Sequence, residues 1–122
     1  MRRMSFVLTQ EQIKNKTKTV TRRLGWAHAK PGMEVLAVSK CQGLKPGEKA
    51  EIFGVIRFLD VRMEKLSLML SDCAAGGYGD IEAAKEGFPE LGGSGFMDMF
   101  GKHMKCDPFK TYVRRIEFEY VK

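Results

Sequence analysis

The chain is poor in the residues that staple or metallate small domains. It has 3 cysteines, Cys41, Cys73 and Cys106, and 2 histidines, His28 and His103. No two cysteines form a CxxC pair, and an odd count leaves one thiol unmatched in any disulfide scheme. That argues against a disulfide framework and makes a reducing, cytoplasmic setting the simplest expectation. The cysteines and histidines show no metal-ligand spacing, so neither a structural zinc nor a cofactor is expected. Long hydrophobic runs are also missing. The apolar stretch after Arg2 and Arg3 is broken by Thr9, Gln10 and Glu11, too short for a signal-peptide core or a membrane span. Gly92-Gly93-Ser94-Gly95 lacks the lysine of a P-loop and a surrounding Rossmann pattern, so it reads as a flexible loop.

What is present suits one globular domain over residues 1–122, with 43% hydrophobic and 30% charged residues. The net charge is +6, unevenly placed. Residues 1–30 hold Arg2, Arg3, Lys14, Lys16, Lys18, Arg22, Arg23 and Lys30 against Glu11 alone, a local charge of +7, so the rest sums to −1. A positive field confined to one segment favours a polyanion such as RNA or a phosphate-bearing ligand; it also describes a merely solvated basic face.

Thr9 and Gln12 have capping-box spacing, which predicts a helix over Thr9 to Lys16. The β-branched run Thr17 to Arg22 predicts a strand or extended loop. Pro31-Gly32 marks a turn, Glu34 to Lys40 a strand and Lys45-Pro46-Gly47-Glu48 a second turn, together a hairpin. Ala50 to Val61 is apolar on both parities, as in a strand covered on both faces. Asp80 is placed to cap a short helix through Glu86, ending at Gly87. Phe96, Met99, Phe100, His103 and Met104 recur at helical spacing behind Ser94, a core-facing stripe in which His103 is a buried imidazole. In the last strand Tyr112, Arg114, Ile116, Phe118 and Tyr120 share one face, half-buried, opposite Val113, Arg115, Glu117 and Glu119. The order implies an α+β fold with a largely antiparallel sheet, expected to curl into a small barrel that removes exposed edges.

Lys18-Thr19-Val20-Thr21-Arg22-Arg23 resembles the signature of the ASCH family: a lysine, a polar residue three positions on, and an arginine two further, here Lys18, Thr21 and Arg23. The resemblance continues through Pro31-Gly32 and its following strand, Glu86-Gly87-Phe88, Phe96 to Met104 and Arg115-Ile116-Glu117-Phe118. It implies a PUA-like β-barrel with short helices flanking a cleft. Lys16 replaces the family's usual glycine, and Thr21 stands where glutamate is common. That threonine is similar to the branch that includes bacterial N4-acetylcytidine amidohydrolase, which implies a catalytic set of Lys18, Thr21 and Glu86.

In chemical terms, a lysine destabilised by burial or by a neighbouring cation such as Arg23 can serve as a general base toward the Thr21 hydroxyl or water. Glu86, in the last turn of its helix, would be the general acid to the leaving amine. Residues three apart in a regular strand point to opposite faces, so Lys18 and Thr21 share a pocket only if the backbone bends between them. Lys16, Arg22 and Arg23 are the expected ligand contacts. Trp26 either stacks on a base or plugs one end of the barrel. The expected function is binding of RNA or a modified nucleoside in a basic cleft; the alternative is an amidohydrolase acting on an N4-acylated cytidine. Neither a membrane nor an obligate protein partner is implied.

Overall fold

The computed structural model describes residues 1–71 and 77–121; Cys73 lies outside them. The elements are β1 (Arg3–Ser5), α1 (Gln10–Lys14), β2 (Val20–Arg23), β3 (Glu34–Val38), β4 (Ile52–Lys65), a 3-10 turn (Leu66–Leu70), α2 (Tyr78–Glu86), α3 (Gly92–Met104) and β5 (Tyr112–Val121). They form an α+β fold around a five-stranded sheet in the order β1-β3-β4-β5-β2. β1 runs parallel to β3, and the other pairings are antiparallel.

The sheet is not closed into a barrel. Among the described residues no ladder joins its edges, β1 and β2. β1 spans three residues and β2 four, and a side chain crosses the seam instead: Arg23 Nη2 donates to the Ser5 carbonyl at 2.6 Å. A cleft opens at this seam, with Ser5 and Arg23 in its lining.

Two apolar clusters are packed. Met4, Phe6, Val35, Ile56, Ile116 and Phe118 anchor the first, and Leu66, Met69, Ala83, Phe96, Met97, Phe100 and Val113 the second. β5 serves both, because Ile116 and Phe118 alternate with Val113 and Arg115, all buried. The strand is therefore used on both faces rather than half-buried. β4 departs the other way: Ile56 and Phe58 are buried, but Ile52 and Leu59 are exposed. A register shift between Phe58 and Asp60 leaves Leu59 out of the alternation, so that Phe58 and then Val61 face the first cluster.

The hairpin of β3 and β4, the turn at Lys45–Glu48 and the left-handed Gly87 (φ 102°) after α2 follow the sequence pattern. The capping box does not form: Thr9 makes no side-chain cap bond, and Gln12 Nε2 donates to the Gly87 carbonyl at 3.1 Å, tying α1 to the end of α2. Gly77, not Asp80, is the N-cap of α2; Asp80 Oδ1 accepts from the Gly93 amide at 2.9 Å. Gly92–Gly95 is the first turn of α3 rather than a loop. Its glycines are needed for approach. A Cβ on Gly93 would stand 2.0 Å from the Met69 carbonyl oxygen, and one on Gly79 1.7 Å from the same atom. Among the described residues no helix is long and apolar enough to cross a membrane.

Candidate functional site

The bend between Lys18 and Thr21 comes from placing Lys18 ahead of the strand. β2 starts at Val20, so the alternation of strand faces does not extend back to Lys18. The Lys18–Thr19 backbone is clamped from both sides: the Thr19 amide donates to Lys85 O at the end of α2 (2.9 Å), Phe118 N of β5 donates to Thr19 O (3.0 Å), and Tyr120 Oη donates to Lys18 O (2.5 Å). The Lys18 side chain turns to the C-terminal end of α2. Its Nζ donates to Glu86 Oε1 at 2.8 Å and to the Glu86 carbonyl at 2.7 Å. Thr21 comes from β2 itself, and its Oγ1 accepts from Arg23 Nε at 3.0 Å. The hydroxyl proton of Thr21 is thereby left to point elsewhere.

Lys18, Thr21, Arg22, Arg23, Trp26 and Glu86 line one cleft of about 520 Å³, within the usual range for small-molecule sites. Lys16 is not part of it: it is exposed in a left-handed turn (φ 61°) after α1. Trp26 is half-buried between the first core and the cleft. Its ring packs edge-on against Phe58 of the first core at 6.0 Å and stacks with His28 at 5.1 Å, while bordering the cleft.

Arg22 is buried structure rather than an open ligand contact. Its Nη1 donates to Glu86 Oε2 at 3.0 Å, and Nη2 donates to Glu64 Oε1 at 2.7 Å and to Glu82 Oε1 at 2.6 Å. The sheet register explains why. Arg22 lies opposite Arg115, and Arg115 opposite Arg62, which sets three arginines in a row across β2, β5 and β4. Like charges facing across strands repel. Glu82 of α2 is inserted between them, accepting from Arg115 Nε at 2.6 Å and Nη2 at 3.1 Å as well as from Arg22. Glu64, bonded to Tyr78 Oη (2.8 Å), completes the network. Glu64, Glu82 and Arg115 were not singled out by sequence reasoning. The available signal was an arginine at an inward position of each of two strands, with carboxylates four apart on one helix, Glu82 and Glu86.

The electrostatics follow from burial and pairing. Burial is the dominant influence on Lys18 and lowers its pKa below the usual lysine range; Glu86 opposes it, and Arg23 and Arg22 add to the lowering. Burial would lower Arg22 too, but Glu86, Glu64 and Glu82 overcome it and hold the guanidinium well above its ordinary value. Burial would raise Glu82, yet Arg115 and Arg22 hold it at about 2.

No known family model and no curated protein matches the sequence. A solved structure does share the fold. It is the crystal structure of protein EF3133 from Enterococcus faecalis V583, of the family DUF984, which superposes with a TM-score of 0.57 at 13% identity and covers 91% of this chain and 68% of that one. At that identity the likeness concerns the fold alone.

The rest of the cleft was not foreseen as a site. It includes the segment Ser5–Thr9, Gln42 from the loop after β3, Phe88, and the face of α3 carrying Phe96, Met99, Phe100, His103 and Met104. Phe96 and Phe100 are core, as expected. His103 is exposed on the cleft wall rather than buried, because the stripe on α3 outruns the core it packs against. Among the described residues no cluster of three His, Cys, Asp or Glu could hold a metal ion.

Proposed function

We propose that this cleft hydrolyses the amide of an N-acylated nucleobase or nucleoside, an N4-acylcytidine or a close analogue, in the cytoplasm, and that the fold is a PUA-like variant of the ASCH type left open at one seam. The observation that carries the reading is the buried Lys18 amine held 2.8 Å from Glu86 in the cleft that also receives the Thr21 hydroxyl. A lysine with its charge disfavoured is a competent base. The neutral amine takes the Thr21 proton as Oγ1 bonds to the acyl carbon. The carbonyl oxygen acquires negative charge beside the Arg23 guanidinium. The Lys18 ammonium then protonates the leaving nitrogen as the carbon–nitrogen bond breaks. Water cleaves the acyl-threonine, releasing the carboxylic acid and restoring the hydroxyl. Both oxygens of Glu86 already accept from Lys18 and Arg22, so its part is to hold the base in place rather than to donate a proton.

Binding of RNA without turnover is the second reading, favoured by the exposed Arg2, Arg3, Lys14, Lys16 and Lys30. It draws less support from the cleft itself, where Lys18 and Arg22 are paired with Glu86, Glu64 and Glu82 and offer little uncompensated charge to phosphate. The deciding experiment is incubation with N4-acetylcytidine, followed by mass spectrometry. Cytidine and acetate are expected. Lys18→Ala, its fold verified by circular dichroism, should lose about 10²–10⁴ in rate, and Thr21→Ser should retain more activity than Thr21→Ala. Absence of deacylation at high protein concentration, with RNA affinity falling steeply in salt, would establish the second reading instead.

A further inference from the structure

Single exposed apolar side chains are ordinary on protein surfaces. Here Val7, Leu8, Leu24 and Met104, exposed by 50, 47, 44 and 39%, all line the cleft that holds Lys18 and Glu86. They come from three separate segments: the turn after β1, the residue after β2 and the last turn of α3. None belongs to either packed cluster. Convergence of unburied apolar surface on one concavity marks a site for an apolar group.

The cleft thus has a polar floor and an apolar rim, and the two make different demands. The floor fixes the position of a scissile amide, since its carbonyl carbon must reach Thr21 and its leaving nitrogen must reach Lys18. A pyrimidine and its ribose carry many polar atoms and would gain little from the rim. The methyl group of an acetyl substituent is too small to cover four side chains from three segments. The fragment of the substrate suited to the rim is the acyl chain.

Resting on the hydrolase reading, we propose that the preferred substrate carries an apolar acyl group several carbons larger than acetyl, which lies along Val7, Leu8, Leu24 and Met104. Each methylene added to the chain moves from water onto this rim, and a buried methylene corresponds to about fourfold in an equilibrium or rate ratio.

The test is the rate of deacylation, as kcat/KM, for the acetyl, butanoyl, hexanoyl and benzoyl amides of cytidine at N4. The expected result is a rise of about two- to fourfold per methylene from acetyl to hexanoyl, the lower bound reflecting partial exposure of the rim. The double variant Leu24→Gln, Met104→Gln should flatten that dependence on chain length; both side chains are substantially exposed, so the fold tolerates the change. A flat or falling series in a protein that does turn over the acetyl amide overturns the acyl-rim proposal and leaves the hydrolase reading standing. No turnover of any member overturns the hydrolase reading, and the rim assignment with it.

Discussion

Replacing Glu82 with glutamine tests whether the arginine row is held by a buried carboxylate. Glu82 is 1% exposed and accepts hydrogen bonds from Arg22 Nη2 (2.6 Å), Arg115 Nε (2.6 Å) and Arg115 Nη2 (3.1 Å), with Tyr78 Oη at 3.5 Å. The amide preserves the shape and removes the charge, leaving two guanidiniums opposed across β2 and β5. Breaking a buried ionic cluster from one side costs about 3–5 kcal/mol. Acid–base linkage gives a similar figure: the fall of Glu82 from 4.5 to about 2 corresponds to about 3 kcal/mol of stability. The sign follows from proton uptake. Between 4.5 and about 2 the unfolded chain binds the proton first, so this contribution is complete above 4.5 and is lost as pH falls through about 2. For a 122-residue chain, 3 kcal/mol amounts to about 12 °C in melting temperature. Thermal unfolding followed by circular dichroism should show Glu82→Gln melting about 12 °C below wild type at pH 7, with the gap closing on acidification between pH 4.5 and 2. A variant within about 3 °C of wild type at pH 7, or a gap unchanged by pH, would refute the reasoning.

Three further outcomes follow from local geometry and charge. Gly79→Ala would set a Cβ 1.7 Å from Met69 O, which forces backbone apart where α2 meets the 3-10 turn; a loss of about 3 kcal/mol or more is expected in urea unfolding, against no change for Gly25→Ala, where the added Cβ meets nothing within 4 Å. Because Lys18 must be neutral to act as a base and burial lowers it from 10.5, kcat/KM for an N4-acylcytidine should rise with pH through a midpoint below 10.5. Arg23→Gln removes a cation that contributes to that lowering and should move the midpoint upward; a midpoint that stays put or moves down would separate the titration from Lys18.

The likeness in fold to the Enterococcus structure spans most of this chain at 13% identity, so what is common is the arrangement of elements. Any chemistry of this cleft therefore rests on its own side chains, and the division between floor and rim is the feature most open to direct test. The paired cations beneath the floor also have a stabilising consequence. They join α2 to β2, β4 and β5 through Glu82, Glu86 and Glu64, so a change at Glu82 reaches Lys18 through Arg22 and Glu86.

Local chemistry alone determined much of the element order. Turn residues marked Pro31-Gly32 and the end of α2 at Gly87, and β-branched and alternating runs marked β3, β4 and β5. These features depend on backbone preference within a few residues, which a sequence carries directly. It was the resemblance of Lys18, Thr21 and Arg23 to a family signature that pointed to three side chains sharing the cleft. Pairing across the chain decided the rest. Whether Arg22 met ligand or carboxylate depended on its register opposite Arg115 and on α2 bringing Glu82 and Glu86 over that face. Whether the edges closed depended on how far β1 and β2 extend, and the exposure of His103 on where the second core ends. Each of these is settled by contacts between residues far apart in the chain, whose energies exceed the local preferences that a sequence displays.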